Sequence, residues 1–176
     1  MSETMKQIVL ASRPNGVPTP ANFRLEEAPL PIPAEGEVLV RVEYMSLDPY
    51  MRGRMDEAKS YAANIPVDSK MEGGSVGKII ASNADGFEIG DFVIGSFGWA
   101  THSVATAVGL AKIDPHAAPI TYSLGVLGMP GFTGWYGLSE LGKPKSGETL
   151  VVAAATGPVG SMVGQLTKSR GLYTVG

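Results

Sequence analysis

The stretch Thr149-Leu150-Val151-Val152-Ala153-Ala154-Ala155-Thr156-Gly157-Pro158-Val159-Gly160-Ser161-Met162-Val163-Gly164-Gln165-Leu166 decides the fold class. Thr149 to Ala155 is a nearly continuous apolar run, the pattern of a strand buried on both faces. After the turn, Val159, Met162, Val163 and Leu166 recur at i, i+3, i+4 and i+7, one apolar face of a helix over 158–170. Lys168 and Arg170 suit the negative end of that helix, and Gly171 suits its stop. Leu172 to Val175 begins a second strand. Strand, glycine-bearing turn, helix and strand form the unit that binds dinucleotides.

The glycines have assigned tasks in that unit. Gly157 keeps a Cβ away from an approaching pyrophosphate, and Gly160 lets helix and strand come close. N–H groups at the helix start, helped by its dipole, hold phosphate oxygens. Ala155 replaces the first glycine of G-x-G-x-x-G, and Pro158 removes one donor at a position where helices accept proline. Gly157, Pro158, Val159 and Gly160 are therefore the candidate cofactor residues. The acidic or basic residue that reads the adenosine ribose falls about 20 residues beyond such a motif, so inspection of 1–176 leaves NAD and NADP open.

Upstream the chain reads as short strands and turns. Lys6–Ala11, 23–28, 37–46, 75–82, 91–95 and 100–107 have strand character, with turns at Arg13-Pro14-Asn15-Gly16 and Asp85-Gly86. Asp48 is placed as a cap, Pro49 as the first helical residue and Tyr50 to Met55 as a turn or two of helix. Gly 23 and Pro 13 together are about a fifth of the 176 residues, which suits a closed or sandwich-like β domain. Helical content resumes over 120–127 and 131–141, interrupted at Pro130, with Trp135, Leu138 and Leu141 on one face and Gly142 as the stop. The expected domains are 1–124 and 125–176.

Composition narrows the function. Net charge is −3, against a nucleic-acid partner. No apolar run approaches the ~18 residues of a membrane span, and Met1–Lys6 lacks a signal-peptide core, so a cytoplasmic location is expected. The Cys count of 0 excludes disulfides and thiolate zinc sites.

Several segments carry a family resemblance. They are Ser12-Arg13-Pro14-Asn15-Gly16 with Asn22-Phe23, Ser46-Leu47-Asp48-Pro49-Tyr50-Met51-Arg52-Gly53-Arg54-Met55, Lys59-Ser60-Tyr61, Gly128-Met129-Pro130-Gly131-Phe132-Thr133 and Ala154-Ala155-Thr156-Gly157-Pro158-Val159-Gly160. Together they resemble the zinc-independent medium-chain dehydrogenase/reductases of the prostaglandin reductase, leukotriene hydroxydehydrogenase and curcumin reductase group. The resemblance implies a mainly β GroES-like substrate domain, then the start of an α/β Rossmann domain. It implies NADPH-dependent reduction of the C=C bond of α,β-unsaturated ketones and aldehydes, and a homodimer at full length. Zinc-dependent members of the superfamily need a Cys and a Gly-His-Glu; here Glu72-Gly73-Gly74-Ser75-Val76-Gly77 has no His, so no metal is expected.

The resemblance also implies site residues. Tyr50 is the candidate catalytic and substrate-binding residue, with a core-capping tyrosine as its alternative. Tyr61, Phe97 and Trp99 are candidate substrate contacts, the latter two equally readable as core aromatics. Met129 and Thr133 match the nicotinamide-side segment, although a gap-filling core role suits Met129 taken alone. Arg52 and Arg54 are read as solvated or as steering anions; His102 and His116 are assigned to structure. Family members continue past this point, so 1–176 by itself is expected to be inactive. A quinone reductase of the same superfamily and a non-catalytic binding protein remain as rival readings.

Overall fold

A computed structural model describes residues 4–58 and 62–176. They divide into two compact units, one up to Pro115 and the other His116–Gly176, a division that falls ahead of the boundary expected at 124.

In the first unit, β1 (Thr4–Leu10) and β2 (Phe23–Pro29) pair as an antiparallel ribbon. The turn between them contains Gly16 at φ +80, a conformation that glycine adopts without Cβ strain. β3 (Glu37–Met45), β4 (Ser75–Ser82), β5 (Phe92–Gly95), β6 (His102–Thr106) and β7 (Ala111–Ile113) make a five-stranded antiparallel sheet in the order β6-β3-β4-β5-β7. Val38 and Val40 are buried as their alternation predicts, but Leu39 between them is buried too, so this end of β3 is covered on both faces. Val38, Val40, Ile79, Val93 and Phe97 form one core; Leu10, Met55, Ile65 and Met71 form a second. Backbone bonds from Ile8 N–H to Trp99 O (2.8 Å) and from Met71 N–H to Ile8 O (3.0 Å) tie the ribbon to its neighbours.

Helix α1 spans Tyr50–Arg54. Pro49, not Asp48, occupies the N-cap position, already at helical φ −56, and no side chain caps the helix. The expected Asp48 cap is thus replaced by a backbone turn, Met51 N–H to Asp48 O at 3.0 Å.

The second unit contains α2 (Met129–Tyr136), β8 (Thr149–Val151), α3 (Pro158–Ser169) and β9 (Tyr173–Val175), with β8 and β9 parallel. Helix α3 matches the expected 158–170 to within a residue, and Gly171 follows at φ +67. Pro130 starts α2 rather than interrupting it, because a first-turn proline forfeits no helical hydrogen bond. A π-helical turn over Gly137–Gly142 follows, and its wider spiral breaks the expected common face: Leu138 is 4% exposed and Leu141 72%. Lys143 at φ 45, not Gly142, provides the left-handed stop.

The strand expected over 149–155 is shorter. β8 ends at Val151, and Val152 N–H to Val175 O (2.8 Å) is the last rung to β9. Past that rung the chain turns, with Ala154 at φ 52. Val151 is 77% exposed, in place of the expected burial on both faces.

Candidate functional site

Two sets of candidate residues lie one in each unit. In the second, the turn after β8 delivers Gly157 as the N-cap of α3, with Pro158 in the first turn. The helical ladder opens with Ser161 N–H to Gly157 O at 2.8 Å. Val159 and Gly160 therefore present amides ahead of the ladder, and Pro158 has none to present. No acidic side chain occupies this first turn, so nothing there repels an anion.

The two glycines differ in what confines them. A Cβ at Gly160 would stand 2.5 Å from Ala154 O and 2.7 Å from Ala155 Cα, so the close packing of the helix on the turn after β8, where the sequence pattern placed strand, requires glycine there. A Cβ at Gly157 would meet only Ala154 O, at 3.3 Å, and Gly157 has an ordinary extended backbone. The protein restricts Gly157 far less than Gly160, by one tight contact and no backbone strain. A cradle that a Cβ would fill, two free amides and a helix dipole suit the pyrophosphate of a dinucleotide.

Beside the turn lies an apolar pocket of about 290 Å³, lined by Thr133, Gly134, Leu138, Leu150, Val151 and Val159 among others. Thr133 thus shares a pocket with Val159 of that turn. Its hydroxyl donates to Met129 O at 2.8 Å, and Met129 is 65% exposed within residues 1–176. Gly134 allows α2 to approach α3: a Cβ there would fall 2.9 Å from Val159 O.

In the first unit, Tyr50 is half-buried at the start of α1, between the turn at Asp48 and the buried Met51. Trp99 stacks on Phe23 with ring centroids 5.4 Å apart. It lines a second apolar pocket of about 310 Å³ with Ile8, Leu25, Met45 and Thr101; Tyr50 does not line it. The Trp99 indole Nε1 is buried without a hydrogen-bond partner among the described residues. Phe97 is 1% exposed within the Val38–Val93 core, so the substrate contact expected of it gives way to a packing role. Tyr61 lies outside the described residues.

The arginines next to Tyr50 are not free to steer anions. Arg52 donates from Nε (3.1 Å) and Nη2 (2.7 Å) to Gly16 O, and from Nη1 to Asp56 (2.7 Å). Arg54 pairs with Glu72, in the segment where zinc-dependent members of the superfamily carry Gly-His-Glu. Arg13 donates from Nη1 to Met55 O (2.7 Å) and from Nε to Glu57 (2.9 Å). Two resemblance segments about forty residues apart thus bond to each other's backbone, a pairing that sequence spacing does not reveal. His102 Nδ1 sits 3.1 Å from Thr101 Oγ1. Among the described residues no group of three or more His, Cys, Asp or Glu could hold a metal ion, and no helix is long and apolar enough to cross a membrane.

This geometry can be set beside known proteins. A family model described as the N-terminal domain of oxidoreductase matches residues 6–113. The chain belongs to this oxidoreductase family. Similar proteins include curcumin, 2-alkenal and prostaglandin reductases. It is 51% identical over 168 residues to the NADPH-dependent curcumin reductase of Escherichia coli K12, covering 96% of this chain and 49% of that one. It is 38% identical over 176 residues to the NADP(+)-dependent 2-alkenal reductase of Nicotiana tabacum, covering 97% and 51%. The crystal structure of CurA in complex with NADPH from Vibrio vulnificus superposes with a TM-score of 0.90 at 50% identity, covering 96% and 50%. The chain spans about half the length of the curated relatives it matches. The fold expected from sequence, a sheet-rich first domain and the beginning of a Rossmann domain, agrees with these likenesses.

Proposed function

We propose that the protein reduces the C=C bond of α,β-unsaturated ketones and aldehydes with NADPH, without zinc. The observation that carries the reading is the Gly157–Gly160 turn: a glycine confined by the protein at 160, a glycine open outward at 157, and two unspent amides at the head of α3. Relatives named as NADPH-dependent curcumin reductase and NADP(+)-dependent 2-alkenal reductase support the cofactor and substrate class.

When bound, NADPH supplies a hydride to the β-carbon of the enone. The α-carbon then takes a proton, giving the saturated carbonyl compound and NADP+. In this reading the amides of Val159 and Gly160 fix the pyrophosphate, and the Thr133 and Met129 segment flanks the nicotinamide side. Tyr50 donates its hydroxyl hydrogen to the carbonyl oxygen, stabilising negative charge as it develops there. Trp99 and Tyr61 supply apolar surface for the substrate. The first unit is accordingly the substrate domain and the second the beginning of the cofactor domain.

The test is NADPH consumption by the full-length protein with a panel of enones, 2-alkenals and quinones. We expect turnover of enones or alkenals to the saturated carbonyl product, and no loss of activity with chelator. Turnover of quinones alone would overturn the substrate class, and an activity-linked zinc ion would overturn the metal-free mechanism. The resemblance further supports a cytoplasmic homodimer; sedimentation of the full-length protein at the mass of one chain would contradict the dimer.

A further inference from the structure

We propose that Arg13 and Arg52 are positioning residues that set the placement of Tyr50, through a reciprocal clasp between the turn at 13–16 and helix α1. The inference rests on the reading that Tyr50 touches the substrate. Helix α1 has five residues and no side-chain cap. A helix far below ~12 residues has little intrinsic stability, so its position is whatever its attachments dictate. On one side it is held by Met51 and Met55, both buried. Methionine is unbranched and adaptable, and by itself specifies an orientation poorly.

The Arg54–Glu72 pair and a bond from Ile65 N–H to Arg54 O (2.8 Å) hold the end of the helix, and Arg52 and Arg13 add the contacts that tie it to the turn at 13–16. Arg52 sends two donors of its fork to one acceptor, Gly16 O, and a third to Asp56 at the helix exit. Arg13 returns the contact by donating to Met55 O, a carbonyl at the end of the helix, and holds Glu57 beyond it. Each segment therefore donates a side chain to the other's backbone. Backbone carbonyls cannot rotate away as side chains do, so the clasp fixes register as well as distance. Gly16 at φ +80 turns the chain at the point where its carbonyl receives the Arg52 fork. Lysine, with one nitrogen and no fork, cannot make both sets of contacts. Tyr50 sits two residues before Arg52 on the same short helix, so slack in the clasp becomes displacement of its hydroxyl.

The experiment is a double-mutant cycle in the full-length protein. Arg52→Ala and Arg13→Ala are each made in the wild-type and Tyr50→Phe backgrounds, with kcat, KM for an enone, NADPH affinity and melting temperature measured. If the arginines act through Tyr50, each alanine variant lowers kcat/KM about tenfold in the wild-type background and less than about twofold in the Tyr50→Phe background. NADPH affinity stays unchanged in both. Equal losses in the two backgrounds, or unchanged kinetics in folded Arg52→Ala with Tyr50→Phe impaired, would overturn the clasp alone. Wild-type kinetics in Tyr50→Phe would overturn the Tyr50 reading, and the inference with it. Where alanine prevents folding, Arg52→Lys, which keeps the charge and loses the fork, gives the same comparison.

Discussion

The two units bury their apolar residues very differently. The first holds Leu10, Val38, Val40, Ile79 and Val93 at 0% exposure across two cores, whereas Leu138 is the large hydrophobic side chain that the second seals, at 4%. Phe132, Leu141, Val151 and Tyr173 in the second unit are all at least 60% exposed. The difference follows from topology. Antiparallel neighbours in the first unit close on themselves locally, while a parallel pair of strands has to be covered on both faces by other elements before its residues leave water. Within residues 1–176 the first unit seals its own cores, and the second leaves apolar faces open.

The largest effect expected from this contrast is in autonomous folding. Residues 1–115 produced alone should unfold cooperatively in urea, and residues 116–176 alone should show no cooperative transition. A sharp transition for 116–176, followed by circular dichroism, would show that its motif is stable without further burial, and would break the comparison.

The next effect separates two glycines within one turn. Gly160→Val drives a side chain into Ala154 O and Ala155 Cα, backbone atoms that cannot rotate aside, and should destabilise the full-length protein by about 1–3 kcal/mol. Gly157→Val meets one atom at 3.3 Å and replaces a glycine N-cap, and should cost less stability, about 1 kcal/mol or below. It should nevertheless weaken NADPH binding at least tenfold, about 1.4 kcal/mol, in a calorimetric titration. Equal stability losses for the two variants would mean that Gly157 serves the fold and not a ligand.

Those glycines also show how far the sequence carries. The β–turn–α–β unit was legible because a strand signal and a helix period meet at a glycine-bearing turn, and both are local. The length of β8 was not legible: Val152 to Ala155 are apolar enough for a strand, but the chain turns there, with Ala154 at φ 52. Phe97 reads equally as substrate contact or core, and the structure packs it in the core. An aromatic residue near a glycine has the same local pattern whether it faces a cleft or, as here, closes a core between strands distant in sequence. Arg13 and Arg52 were both visible in the resemblance segments, yet their mutual contact is made by folding and leaves no periodic trace.

The smallest expected effect lies in the first unit, at its edge strand. Asp91 accepts a hydrogen bond from the Glu88 backbone N–H and pairs with Lys112 on β7; both hold its carboxyl below its ordinary value. Because the folded value is the lower one, the stabilisation is present above the unfolded carboxylate's pKa and is lost as pH falls through the folded value. Asp91→Asn should therefore cost less than about 1 kcal/mol at neutral pH, and nothing in acid once both carboxyl forms are protonated. Urea unfolding of both proteins across that range checks it; a difference that grows toward low pH would reverse the assignment.

The central claim is tested most directly by following one atom. The full-length protein is given an enone and NADPH carrying deuterium at the transferable C4 position, and the product is examined by NMR. The account predicts a saturated ketone with the label on the former β-carbon and the carbonyl intact. Deuterium on the former carbonyl carbon, in an allylic alcohol product, or no transfer to enones or alkenals at all, would contradict it.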